Sequence, residues 1–149
     1  MTDYELLNAQ LAEMVRDVPY RTANLANASA LLYDALEDLN WAGFYLMENG
    51  KLVLGPFQGK VACVEIEVGK GVCGTAVERD ATILVENVHQ FPGHIACDCA
   101  SNSEIVVPIR KHGRVIGVLD MDSPSFSRFT VCDQAGLERF VRILEQFVF

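Results

Sequence analysis

Cationic side chains are scarce in this chain: 12 lysines and arginines stand against 20 aspartates and glutamates, which leaves a formal charge of −8 and a sequence pI near 4.8. Such a surface repels phosphate backbones and anionic lipid headgroups, so neither nucleic acid nor a membrane is the expected partner. No stretch approaches the ~20 apolar residues that cross a bilayer. The first residues, MTDYELLNAQ, lack the cationic-then-apolar order of a secretion leader. The expected location is therefore the cytoplasm, where thiols stay reduced. Internal repeats, low-complexity tracts and interdomain linkers are also missing. The cysteines, 63, 73, 97, 99 and 132, are odd in number. An odd count without a leader argues against a structural disulfide framework and for thiols that are catalytic, metal-bound or merely buried.

What is present is apolar. Half of the 149 residues are hydrophobic, enough for one domain over residues 1–149 that buries about two-thirds of its unfolded surface. Leu6, Leu7, Leu11, Met14 and Val15 have helical spacing over residues 2–17. Thr2 and Glu5 fit a capping box there, and Pro19 stops the segment. Further amphipathic helices are expected at about 22–38 and from Val131 to the C-terminus, with Asp133 in a first turn where a carboxylate suits the helix dipole. Strands are expected at 42–47 and 51–54 around Glu48-Asn49-Gly50, at 61–68, at 82–85, and at 104–110 and 114–122 around Lys111-His112-Gly113. Antiparallel hairpins with helices at both chain ends indicate an α+β fold: helices on one sheet face, pocket-forming loops on the other. The 17-residue loop 86–102 is of a length that is usually functional or disordered.

The chemistry concentrates in GVCGTAVERDATILVENVHQFPGHIACDCASNS, residues 71–103. Cys73 sits on a small-residue turn that opens a short helix, where a helix N-terminus favours the thiolate. The plainer reading is a small buried hydrophobe. Cys97 lies in His94-Ile95-Ala96-Cys97-Asp98-Cys99, beside histidines that stabilise a thiolate and an aspartate that opposes it. His89, His94, Cys97 and Cys99 offer metal ligands, but Cys97-x-Cys99 is too tight for the usual zinc spacing and no second knuckle exists. Cys132, at the head of the last helix, reads as packing.

A second constellation is acidic. Strand alternation sends Asp120 and Asp122 to one face, and Glu104 begins the neighbouring strand. Three such acids in apolar surroundings either bind a cation or hold a proton at neutral pH; the plain alternative is a solvated strand end. Trp41 and Tyr45, four apart, share a strand face and either wall an apolar pocket or fill the core. Thiols beside acids in a polar loop suggest redox chemistry on a small polar substrate.

The motifs GKGVCGTA (69–76), VHQFPGHIACD (88–98), SNSEIVVPI (101–109) and GVLDMDS (117–123) resemble the free methionine-(R)-sulfoxide reductases, which are GAF-domain enzymes. The resemblance spans roughly residues 25–147. It implies reduction of free L-methionine-(R)-sulfoxide to L-methionine through a cysteine sulfenic acid and an intramolecular disulfide. Thioredoxin or a similar dithiol then regenerates the enzyme, with no metal or organic cofactor. It further implies Cys97 as nucleophile, with Cys73 as competitor for that role. By the same resemblance Cys63 is expected to be the principal resolving thiol and Cys73 a third cysteine able to join a disulfide. It likewise implies that Glu104, Asp120 and Asp122 surround the substrate and that Trp41 and Tyr45 line its pocket. Cys99 departs from the family, which carries a small residue there. A homodimer is implied, for which the apolar first helix offers a surface. The rival function is a non-catalytic, small-molecule-sensing GAF module.

Overall fold

The computed structural model describes residues 1–94 and 100–149; Cys97 and Cys99 lie outside the described residues. Two helices come first, α1 (Tyr4–Val15) and α2 (Arg21–Ala35). Strands β1 (Trp41–Glu48), β2 (Lys51–Gly59) and β3 (Glu65–Glu67) follow, then α3 (Gly71–Arg79), β4 (Ile83–Val85) and a single 3₁₀ turn (Val88–Gln90). The chain closes with β5 (Ser103–Lys111), β6 (Arg114–Ser123) and α4 (Val131–Phe147). No helix among the described residues is long and apolar enough to cross a membrane.

The six strands form one antiparallel sheet in the order β3-β2-β1-β6-β5-β4. Both expected hairpins form. Asn49 and Gly50, and likewise His112 and Gly113, have positive φ, the paired left-handed geometry that suits the twist of two adjoining strands.

Alternation along the strands divides the core in two. Ala42, Phe44, Ile105, Val107, Ile109, Leu119 and Met121 pack against α1, α2 and α4, where Leu11, Leu25, Leu32, Phe140 and Leu144 are fully buried. Each such side chain contributes about 1.5–3 kcal/mol through burial. The opposite face carries Trp41, Tyr45, Val106 and Val118 and is covered by α3, through Val72, Cys73 and Ala76. The expected α+β arrangement of terminal helices on one face and the pocket on the other is therefore the observed one, with α3 added on the pocket side.

Local details correct several expectations. Asp3, not Thr2, caps α1: its Oδ1 accepts from the Leu6 amide at 3.0 Å, because the helix starts at Tyr4. The capping box stands instead on α4, where Thr130 Oγ1 accepts from the Asp133 amide and Asp133 Oδ2 accepts from the Thr130 amide. Tyr4 donates to Asp133 Oδ1 at 2.5 Å and so ties the first helix to the last. Cys132 does not pack. It is exposed because the inward stripe of α4 runs through Asp133, Gly136, Leu137, Phe140 and Val141. Of the strand expected at 61–68, only Glu65–Glu67 pairs. Upstream, the Lys60 and Cys63 carbonyls accept instead from the side chains of Trp41 and Tyr45.

The β1–β2 ladder slips between Gly43 and Tyr45. A Cβ on Gly43 would lie 2.3 Å from Phe57 Cβ and 2.7 Å from its Cα, an approach that the backbone cannot relieve. Gly43→Ala is expected to destabilise the fold by about 1–3 kcal/mol through overpacking, read as a lower midpoint in urea unfolding with an unchanged slope.

Candidate active site

Strand register assembles the site. In the β1–β6–β5 ladder, Asp122 lies between Trp41 and Glu104, and Asp120 lies between Gly43 and Val106. Trp41, Tyr45, Glu104, Asp120 and Asp122 thus share the sheet face that turns away from the three long helices. They line one cavity with Val61, Ala62, Ile66, Lys70, Gly71, Val72, Cys73, His94 and Ser101. The cavity encloses about 540 Å³ of non-atom space, part of it open to solvent.

The aromatic wall also fastens the adjoining segment. The Trp41 ring stacks on Tyr45 and on Phe57, with centroids 5.9 and 5.1 Å apart. The Trp41 indole donates to the Lys60 carbonyl at 3.1 Å, and the Tyr45 hydroxyl donates to the Cys63 carbonyl at 2.9 Å. The pocket wall therefore holds the segment that carries Cys63, whose neighbours Val61 and Ala62 line the cavity. Cys63 is half-buried and disulfide-bonded, whereas Cys73 and Cys132 are free thiols. Burial, reinforced by the Asp120 charge, pushes the Tyr45 phenol far above its ordinary range, so it stays a donor.

Cys73 belongs to the floor. Its helix packs tightly on β3: a Cβ on Gly74 would lie 2.4 Å from the Glu67 carbonyl oxygen. The helix N-terminus was expected to favour the Cys73 thiolate. The opposite holds, because burial and then the charges of Asp120, Glu104 and Asp122 raise its pKa well above the usual thiol value. Low dielectric and neighbouring anions outweigh the short dipole.

The acids are not a solvated strand end. Glu104 is 7 % and Asp120 5 % exposed. Burial, then the charges of Asp120 and Asp122, raise Glu104 well above the carboxylate range. Burial also raises Asp120, but hydrogen bonds from Glu104 and Cys73 oppose the rise. Of this pair Glu104 therefore keeps the proton and Asp120 carries the charge. Among the described residues nothing donates a hydrogen bond to the buried Asp120 Oδ1, a buried acceptor left unsatisfied.

The long loop is anchored at both described ends. Val88 is fully buried, Asn87 Oδ1 accepts from the His89 amide at 3.0 Å, and His89 Nε2 bonds Asn102 Oδ1 at 2.7 Å. The two histidines part company: His94 lines the cavity, and burial lowers its pKa, so it is neutral near pH 7. Among the described residues the side chains grouped closely enough to hold a metal are Cys73, Glu104 and Asp120; of the set His89, His94, Cys97 and Cys99 considered from the sequence, the two cysteines lie outside the described residues. Sequence reasoning passed over Lys70, although it opens the Gly71 helix within GKGVCGTA. It lines the cavity beside the first amides of α3, which have no intrahelical acceptors.

The buried acids make stability fall with pH. Glu104 binds its proton more tightly when folded than when unfolded, so its contribution is fully present below the ordinary carboxyl range and is lost as pH rises through its raised folded value. Glu104→Gln should therefore melt higher than the parent at pH 8 and lose that advantage at pH 4. Equal differences in melting temperature at the two pH values would contradict the assignment.

Residues 22–148 match the GAF domain family. The chain is 62% identical over 124 residues to the free methionine-R-sulfoxide reductase of Escherichia coli, covering 83% of this chain and 75% of that one. The fRMsr of Staphylococcus aureus in its reduced form superposes with a TM-score of 0.97 at 53% identity, over 100% of this chain and 97% of that one. The free methionine-R-sulfoxide reductase of Neisseria meningitidis, solved in complex with its substrate, superposes with a TM-score of 0.94 at 43% identity, over 97% and 87% of the two chains. With the acid-floored cavity beneath α3 and this likeness along nearly its whole length, the chain belongs to the GAF-domain family of free methionine-(R)-sulfoxide reductases.

Proposed function

We propose that this protein reduces free L-methionine-(R)-sulfoxide to L-methionine. The observation that carries the reading is the convergence of Trp41, Tyr45, Glu104, Asp120 and Asp122 on one cavity, next in sequence to whose lining residues Val61 and Ala62 stands the disulfide-bonded Cys63. The relatives named above bear that activity in their names.

The substrate carries an ammonium, a carboxylate, an apolar methylthio chain and a basic sulfoxide oxygen. Asp122 takes the ammonium, and ionised Asp120 adds attraction from below. Lys70 and the free amides at the start of α3 suit the carboxylate, since a helix N-terminus favours anions. A pocket that captures both amino-acid termini excludes peptides. Trp41 and Tyr45 pack the methyl group and select the R epimer.

Glu104, protonated near neutral pH, donates to the sulfoxide oxygen and makes the sulfur electrophilic. The Cys97 thiolate attacks that sulfur. Two electrons pass from the cysteine sulfur to the methionine sulfur, methionine leaves, and the oxygen stays on Cys97 as a sulfenic acid. The Cys63 thiol condenses with it, releasing water and forming a disulfide, which thioredoxin or another dithiol reduces by exchange. The burial of Cys73 among acids supports Cys97 over Cys73 as nucleophile, because a thiol kept protonated attacks poorly. Cys73 is then a third thiol able to enter a disulfide. No metal or organic cofactor is needed. The enzyme works in the cytoplasm as one domain over residues 1–149 and pairs as a homodimer through its first helix.

Assay of each epimer of free methionine sulfoxide with dithiothreitol should yield methionine from the R epimer alone. Turnover of neither epimer would leave a ligand-sensing module, and turnover of the N-acetylated substrate would remove the free-amino-acid assignment. Cys97→Ser should abolish turnover. Cys63→Ser should keep a single round while losing recycling by thioredoxin. Full activity in Cys97→Ser together with none in Cys73→Ser would reverse the nucleophile assignment. Asp122→Asn should raise KM by roughly 10–100-fold, the ~1.5–3 kcal/mol of a hydrogen bond to a charged group. An unchanged KM would move the ammonium contact elsewhere.

A further inference from the structure

Cys73 is buried, nucleophilic in type, and neither the nucleophile nor the principal resolving thiol of the chemistry above. One sulfur of Cys73 and one oxygen each of Glu104 and Asp120 lie within 4.8 Å of one another, and all three residues are buried. They come from separate elements, α3, β5 and β6, so the grouping is a product of the fold and not of local sequence. Asp120 supplies an independent sign of a missing ligand. The residue is 5 % exposed, and among the described residues its Oδ1 has no hydrogen-bond donor.

We propose that Cys73, Glu104 and Asp120 form a binding site for a thiophilic divalent cation, Zn²⁺ above all, which blocks the pocket when it is filled. One thiolate and two carboxylates make a three-ligand set, and the open side of the cavity leaves a fourth position for water. Zinc–sulfur bonds of ~2.3 Å and zinc–oxygen bonds of ~2.0–2.2 Å put tetrahedral ligand atoms roughly 3.5 Å apart. Side-chain rotations of about an ångström therefore close the group on an ion. Binding forms a zinc–sulfur bond and releases the thiol proton and the Glu104 proton to solvent. The ion neutralises charge that three neighbouring acids otherwise hold against one another, and it satisfies Asp120 Oδ1. It is an inhibitory ligand and not a cofactor. The site stands on its own geometry. Where the reductase reading holds, the ion and the substrate ammonium compete for the same acids.

The test is an anaerobic Co²⁺ titration of the full chain, reduced with a phosphine, followed by Zn²⁺ displacement. The expected result is one equivalent bound with tetrahedral cobalt absorption and a thiolate-to-cobalt band. The band should vanish in Cys73→Ser and survive in Cys132→Ser. Asp120→Asn should weaken binding by at least the roughly 10–100-fold that loss of an outer-shell partner costs. Absence of binding, or a thiolate band that persists in Cys73→Ser, overturns the proposal. If Cys73→Ser lacks a folded circular-dichroism spectrum, the Asp120→Asn titration decides, and an unchanged affinity there overturns it. None of these readouts depends on catalysis, so a failed sulfoxide assay and a failed metal site are separate results. In active protein, Zn²⁺ should raise the apparent KM and leave kcat at saturation unchanged, with full reversal by a chelator.

Discussion

Two carboxyl groups buried side by side on a sheet, Glu104 and Asp120, are the constraint to which the rest of the site answers. Both cannot be charged at once in so little water, so one holds a proton and the other a charge. The β5–β6–β1 ladder enforces the pairing: Asp122 is held between Glu104 and Trp41, and Asp120 lies next to the sole β1 position without a side chain, Gly43. A one-residue slip would turn these acids into the helix-packed core, where Phe44, Leu119 and Met121 now sit. The hydrophobic helix layer thus protects the register, and the register holds the acids where water is thin.

From that follows the character of the thiols. Cys73 shares the acids' compartment and is held as the thiol. Cys63 stands outside it, on a segment fastened by the Trp41 indole and the Tyr45 hydroxyl. The same two aromatic side chains wall the pocket and bond the backbone of the segment that carries the disulfide-bonded Cys63. An acidic floor that attracts an ammonium and favours a protonated Glu104 also disfavours a thiolate in its midst. This physical conflict divides the roles of the cysteines, and the same grouping of sulfur and oxygens makes the floor a trap for a thiophilic cation.

Much of this was legible in the chain. The turn pairs Asn49-Gly50 and His112-Gly113 marked both long hairpins because few other residues accept positive φ twice in succession. Period-two alternation put Asp120 with Asp122 and Trp41 with Tyr45, and residues 103–104 fell at the right distance to join them. Helical stripes located α1, α2 and α4 to within a few residues. The failures were local competitions. Asp3 outdid Thr2 as a cap by one position. The Lys60 and Cys63 carbonyls went to aromatic side chains instead of a neighbouring strand, and α4 turned Cys132 outward.

The sequence by itself determined the secondary structure, the two faces of the sheet and the residue types available for chemistry, because these rest on periodicities and turn preferences that act over a few residues. Only the tertiary structure decided what those residues are chemically. That Glu104 holds a proton, that Cys73 is a thiol under a helix N-terminus that favours the thiolate, and that Cys73, Glu104 and Asp120 meet are consequences of burial and of charges brought from separate elements, α3, β5 and β6. Desolvation and Coulomb interactions depend on distance through space, and no pattern along the chain encodes them directly.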